Sequence, residues 1–272
     1  FVSQNNLLEE VAKFRAARRM WANIMRDRFQ AKNPVSWMLR FHTQTAGVSL
    51  TAQQPENNVV RTTVQALAAI LGGTQSLHVN SKDEALGLPT EQSVQLSLRT
   101  QQILAQESGV SDTVDPLGGS YYIEHLTNEL ETQALRYINT IDDMGGTLAA
   151  LEQGYQMWEI QNAAFKHQQE VEDKRRIIVG VNEYLADELP PENVLRVDRQ
   201  QERLQVERLK NIRRERDDRE VTSSLKHLED VAKGTENTVP AILQCVELYA
   251  SVGEISNVLR SVFGEQDHST LV

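Results

Sequence analysis

The sequence predicts an α/β fold built on a parallel sheet, followed by a mostly helical segment. Three observations carry this reading. Short apolar runs alternate with long helical patterns through residues 1–145. The connections between them are a few residues long, as in βαβ units. After Gly146 the alternation stops and the chain reads as helix almost to its end.

The elements follow in order. Asn5 or Asn6 caps a first helix with apolar residues at Leu7, Leu8, Val11, Phe14, Ala17, Met20, Trp21, Ile24 and Met25, the spacing of one helical face. Lys32-Asn33-Pro34 breaks it. Trp37 to Phe41 reads as a buried strand. Pro55 with Asn57 or Asn58 opens a helix from Val59 to Leu71, and Gly72-Gly73 stops it. Thr74 to Val79 is the next strand. Pro89-Thr90-Glu91 opens a helix that runs to about Glu107, with Gly109 as its stop. Asp112 to Asp115 is a short strand before the turn at 116–119. Leu126 to Met144 is a helix ended by Gly145-Gly146.

This gives two units of organisation. Residues 1–145 hold about three strands, each followed by a helix, less than half of the roughly 250 residues that a closed (β/α)8 barrel needs. Residues 146–272 are helical, at Leu148 to Gln153 and Met157 to Lys174. A β-like run, Arg176 to Val181, and a linker at Pro190-Pro191 follow. Beyond Val197 mixed charges line solvated helix faces. Asn237 to Pro240 breaks this run, and Ala241 to Ala250 and Ile255 to Phe263 close it.

Composition narrows the function. A net charge of −10 and a pI near 5.2 argue against a nucleic-acid partner. One cysteine, Cys245, excludes a disulfide framework and fits a reducing, cytoplasmic compartment. No apolar run is long enough to span a bilayer, and none reads as a signal peptide. The start at Phe1, directly before a helix, reads as a piece of something longer. There is no Walker or dinucleotide glycine loop. The six histidines form no i, i+4 pair and a lone cysteine makes no thiolate site, so no metal ligand is assigned. No nucleophile–base pair comes with a third group to orient it.

The informative stretch is residues 41–90, where polar residues follow each apolar run: His42, Thr43 and Gln44, then Gln75, Ser76, His78 and Asn80. Ligands of parallel α/β folds bind outside the carboxyl ends of strands. These residues therefore form a candidate binding wall, with Gln44 and Gln75 expected at one end of the sheet. His42 and His78 are equally well read as core histidines bonded to backbone. Buried amides need partners, and a polar ligand is one. Glu84 follows Asn80 by four residues, so both could face one ligand, whereas Asp83 reads as solvent-facing.

The motifs HTQTAGVSLTAQQPENNVVRT, GGTQSLHVNSKDEALGLPT, VDPLGGSYYIE and VGVNEY, in this order, resemble the large subunits of the methylmalonyl-CoA mutase family over nearly the whole chain. The resemblance implies the later part of a (β/α)8 TIM barrel and the helical segment after it. It implies an adenosylcobalamin cofactor, an acyl-CoA substrate, and as partners the first part of the barrel and a cobalamin-binding domain or small subunit. By motif, Gln44, Asn80 and Glu84 fall on the family's contacts to the adenosyl ribose. Gln75 and Ser76 fall on its acyl-CoA path, and Lys32 on a lysine near the CoA phosphates. The implied reaction is a radical 1,2-rearrangement of the carbon skeleton of a short branched acyl-CoA. A non-catalytic structural subunit on the same fold is the alternative.

The sequence departs from the methylmalonyl-type pattern at Val48, where Trp is common, at Glu56, where Tyr is common, and at Val79, where Thr is usual. In this it looks nearer to mutases of isobutyryl-CoA or 2-hydroxyisobutyryl-CoA. No catalytic residue is assigned, and the DxHxxG motif of the cobalt ligand does not occur in this sequence.

Overall fold

The computed structural model describes residues 1–187, 194–195 and 198–265. The chain divides into two compact units, Phe1–Arg196 and Val197–Val272. The expected division after residue 145 is not where packing separates them. The Arg61 guanidinium donates to the Val179 carbonyl at 2.8 Å and the Gln54 amide to the Tyr184 carbonyl at 2.9 Å. These bonds tie residues 179–184 back to the helix that starts near Asn57.

In the first unit, α1 (Leu7–Asn23) buries Val11, Ala12, Phe14 and Ala16, of which Val11 and Phe14 belong to the predicted apolar face. Its last turn widens into a π-turn, Ile24–Arg28. Asn33 then caps a 3-10 turn, Pro34–Trp37, by accepting from the Val35 N–H. This turn takes Trp37, the first residue of the expected strand at 37–41, and no residue of that run is strand. A proline at the first helical position favours the turn, and the strand begins after it.

The sheet has three parallel strands in the order β1 (Val2–Ser3), β2 (His42–Thr45), β3 (Ser76–His78). The register pairs His42 with Ser76 and Gln44 with His78. Side chains alternate across a strand, and burial follows: Thr43 and Thr45 are buried while His42, Gln44, Ser76 and His78 share the open face. β1 is only two residues long, too short to leave a periodic signal.

Between β2 and β3 runs α2 (Asn57–Leu71), stopped at Gly72-Gly73 as expected. After β3 comes α3 (Glu91–Gln106), whose cap Thr90 accepts from the Ser93 N–H. The expected strand at 112–115 is a turn. The Asp115 carboxylate is taken by Arg15 of α1 at 2.9 Å, Asp115 has a positive φ, and Val114 lies open to solvent with no strand to pair. Arg15 also bonds Thr127 and Glu124 of α4 (Tyr121–Asp143), so a line of polar contacts joins the two helices. The Arg15 hydrogen bond holds the Glu124 carboxyl below its usual range.

The helices expected after Gly146 are α5 (Thr147–Glu152) and α6 (Tyr155–Glu172). Residues 176–181 form a turn rather than a strand. The Asn182 side chain accepts from Ile178 N–H and donates to the carbonyls of Val171 and Arg176, closing the loop on itself. The linker expected at Pro190-Pro191 lies outside the described residues.

The second unit contains α7 (Arg199–Glu215), α8 (Asp218–Ala232), α9 (Thr238–Glu247) and α10 (Val252–Phe263). Leu228, Ala241, Cys245 and Ile255 form its core. One arginine here is not the surface residue that its charge pattern predicts. The Arg216 side chain is 7% exposed and pairs with Glu254 through two bonds of 2.8 and 2.7 Å. It also bonds Asp218 and the Tyr249 carbonyl. Glu254 in turn completes a capping box with Ser251.

Candidate functional site

The parallel register decides which polar residues meet. Gln44 stands near the carboxyl end of the sheet, beside the last residue of β3, and Asn80 follows two residues beyond. Gln75 precedes β3 and lies at the opposite, amino end, where its N–H donates to the Phe41 carbonyl. Its side-chain oxygen accepts from the Phe41 N–H at 2.7 Å and its amide nitrogen donates to the Gly73 carbonyl at 2.8 Å. The expected single wall is therefore corrected: Gln44 and Gln75 sit at opposite ends. Consecutive positions around a strand start also point differently, so Ser76 faces the open side while Gln75 closes the turn before it.

At the carboxyl end, Asn80 is 1% exposed. Its side-chain oxygen accepts from Gln44 at 2.9 Å, its N–H donates to the Thr45 hydroxyl at 2.9 Å, and its carbonyl accepts from Ser97 at 3.2 Å. Its amide nitrogen has no partner. Gly47 lies against that nitrogen. A Cβ on Gly47 would stand 2.7 Å from Asn80 Nδ2 and 3.3 Å from both Cγ and Oε1 of Glu84. Asn80 and Glu84 thus meet beside one glycine, Gln44 is bonded to Asn80, and Glu84 is exposed.

Two buried amides of α2 hold the loops that build this corner. Gln65 accepts from the Ala46 N–H at 2.9 Å and donates to Ser49 Oγ at 2.8 Å, fixing the turn that carries Gly47. Asn58 bonds Thr51 at both its N–H and its carbonyl, and donates to the Lys82 carbonyl. Sequence reasoning missed both. The signal was present: Asn58, Thr62 and Gln65 follow i, i+4, i+7 spacing inside an apolar helix, which places polar groups on its buried face. Asp83 is likewise buried rather than solvent-facing. Burial pushes its carboxyl up, but hydrogen bonds from Ser81, the Thr90 N–H and Ser93 outweigh this and hold it below the usual range. It anchors the 80–90 loop to the start of α3.

On the open face, His42 Nδ1 and Ser76 Oγ are 2.8 Å apart. His42 and His78 are exposed, so the core-histidine reading fails. Lys32 is exposed on the segment leading into the amino end of β2. No group of metal-ligating side chains occurs among the described residues.

The chemistry of this corner is that of a neutral hydrogen-bonding site with one carboxylate. Amides and a carboxylate suit vicinal hydroxyls: the carboxylate accepts from both, and an amide nitrogen donates in return. Parallel α/β folds bind their ligands at the carboxyl end of the sheet, where this corner lies.

Comparison with known proteins is more specific. Residues 1–265 match the methylmalonyl-CoA mutase family. The large subunit of 2-hydroxyisobutanoyl-CoA mutase from Aquincola tertiaricarbonis is 43% identical over 266 residues, 97% of this chain and 47% of that protein. Methylmalonyl-CoA mutase of Rhizobium meliloti is 44% identical over 262 residues, 96% of this chain and 37% of that one. The human mitochondrial methylmalonyl-CoA mutase is 43% identical over 262 residues, 96% and 35% respectively. The chain belongs to the methylmalonyl-CoA mutase family. It spans about half the length, or less, of these relatives.

Proposed function

We propose that the chain is the cofactor- and acyl-CoA-facing part of an adenosylcobalamin-dependent acyl-CoA mutase. In this reading β1, β2 and β3 are consecutive strands of a (β/α)8 barrel. The open face of His42, Gln44, Ser76 and His78 lines its interior, and the edges of β1 and β3 receive the remaining strands. The single observation that carries the reading is the meeting of Asn80 and Glu84 at Gly47, with Gln44 bonded to Asn80 and one amide hydrogen-bond donor unmet.

The donor set fits the group. A ribose offers two adjacent hydroxyls. Glu84 accepts from them, and the Asn80 amide nitrogen, which lacks an acceptor here, donates to one. The Glu84 side chain is the exposed member of the set, and its movement is what this reading requires to open the buried amide to a ligand. Gln44 fixes the Asn80 amide orientation so that its nitrogen faces the ligand. When bound, the cofactor supplies the radical that starts rearrangement of the substrate skeleton. The chain's own task is to hold the nucleoside in place and exclude solvent. Neutral amides do this without offering a readily transferred proton.

The separation of Gln44 from Gln75 supports two functional ends. The carboxyl end serves the ribose, and the interior face and amino end, with Ser76 and Lys32, serve the acyl-CoA. Gln75 then acts by shaping the turn before β3. The substrate is a short branched acyl-CoA. Val48 and Glu56, in place of Trp and Tyr, support isobutyryl- or 2-hydroxyisobutyryl-CoA over methylmalonyl-CoA. The partners follow from the reading: the remaining barrel strands and a cobalamin-binding domain or small subunit. The test is turnover of these three acyl-CoA thioesters by the complete protein with adenosylcobalamin. Adenosyl-dependent rearrangement of one of them is expected. A loaded protein that turns over none of them would end the reading.

A further inference from the structure

We propose that Gly47 decides whether the Asn80–Glu84 corner accepts an adenosyl group, and that glycine is required there for room rather than for backbone conformation. The inference rests on the functional reading above and deepens it. Gly47 opens a 3-10 turn, Gly47–Ser49, and has no positive φ. An alanine therefore fits the backbone without conformational strain. What it does not fit is the space, because its Cβ would stand 2.7 Å from Asn80 Nδ2.

Neither side of this contact yields easily. Asn80 is held through its side-chain oxygen by Gln44, its N–H by Thr45 and its carbonyl by Ser97. The Gly47 turn is held by Gln65 through the Ala46 N–H and Ser49. A methyl group at 47 must therefore turn the Asn80 amide out of place, which removes the donor that a ribose needs. Hydroxocobalamin has no ribose for this donor to hold.

The experiment is a double-mutant cycle in the complete protein, read by equilibrium binding of adenosylcobalamin and of hydroxocobalamin, which lacks the adenosyl group. Gly47→Ala should weaken adenosylcobalamin binding at least tenfold and leave hydroxocobalamin binding within about twofold. In an Asn80→Ala background, where Nδ2 is gone, Gly47→Ala should add less than about a threefold loss. The double variant also keeps the test open if the single variant folds poorly, since it removes the clash. Equal loss for both cobalamins, no loss, or an additive effect in the Asn80→Ala background would overturn the proposal. A wild-type protein that binds cobalamin with no adenosyl contribution would remove the ribose reading itself, whatever the Gly47 variants do.

Discussion

The side chains of Asn80 and Arg216, one in each compact unit, are both buried, and they are satisfied differently. Each nitrogen of the Arg216 guanidinium has a partner, shared among Glu254, Asp218 and the Tyr249 carbonyl. Asn80 has three of its polar groups bonded and one open. A buried group with every bond made stabilises a fold. One with a bond withheld beside a small residue and a carboxylate is, in the proposed function, the donor left for a ligand. The withheld bond is not sufficient by itself. Thr43 Oγ1 also lacks a partner, but it points to the helix side of the sheet, away from the open face.

The contrast predicts that damage at Arg216 is structural and damage at Asn80 functional. The largest expected effect is at Arg216. Arg216→Ala leaves the Glu254 carboxylate with Ser251 and the more distant Arg213 and, by removing its charged hydrogen bonds, should destabilise the second unit by about 1.5–3 kcal/mol. Hydrogen exchange at α8, α9 and α10 would report it, and unchanged protection would show the pair to be dispensable. Glu254 carries the linked pH dependence. Hydrogen bonds from Arg216 and Ser251 hold its carboxyl well below the ordinary carboxylate range despite burial. Its contribution is therefore full above the unfolded carboxyl pKa of roughly 4.3 and fades as pH falls from there toward the folded value. Glu254→Gln should flatten the acid side of the exchange–pH profile of these helices.

Next in size, Asn80→Ala and Glu84→Ala should each weaken adenosylcobalamin binding by about 0.5–3 kcal/mol, a factor of about two to 150. The folded protein should lose little stability from Glu84→Ala, because that side chain is exposed. If either variant unfolded the first unit while leaving cofactor affinity intact, the contrast with Arg216 would collapse.

Smaller effects separate the two ends of the sheet. Ser76→Ala should raise the apparent KM for acyl-CoA about fivefold, the worth of a hydrogen bond near 1 kcal/mol, with adenosylcobalamin affinity unchanged. Gln75→Ala should instead cost stability by about 1–2 kcal/mol, since both ends of its amide bond the backbone. A pure KM effect from Gln75→Ala would return it to the acyl-CoA path. The smallest expected change is at Gly253 in α10, where a Cβ meets nothing within 4 Å. Gly253→Ala should stabilise the second unit by no more than about 1 kcal/mol, measured by the same exchange experiment.

The sequence by itself determined the long helices, their stops and the parallel α/β class. These signals are local: apolar spacing along α1, α2 and α3, the Thr90 cap, and the glycine pairs at 72–73 and 145–146. It also brought Gln44, Asn80 and Glu84 forward as one set by their motifs. Only the tertiary structure decided what each polar residue does, because hydrogen-bond partners come from distant parts of the chain. The Phe41 backbone occupies Gln75, and Arg15 draws Asp115 out of a strand. Asn58 and Gln65 turn inward to hold loops, and Glu254 pulls Arg216 out of solvent. Periodicity fixes which face a residue occupies. The register between strands, and the bonds left unmade when they pair, fix whether that face meets a neighbour or a ligand.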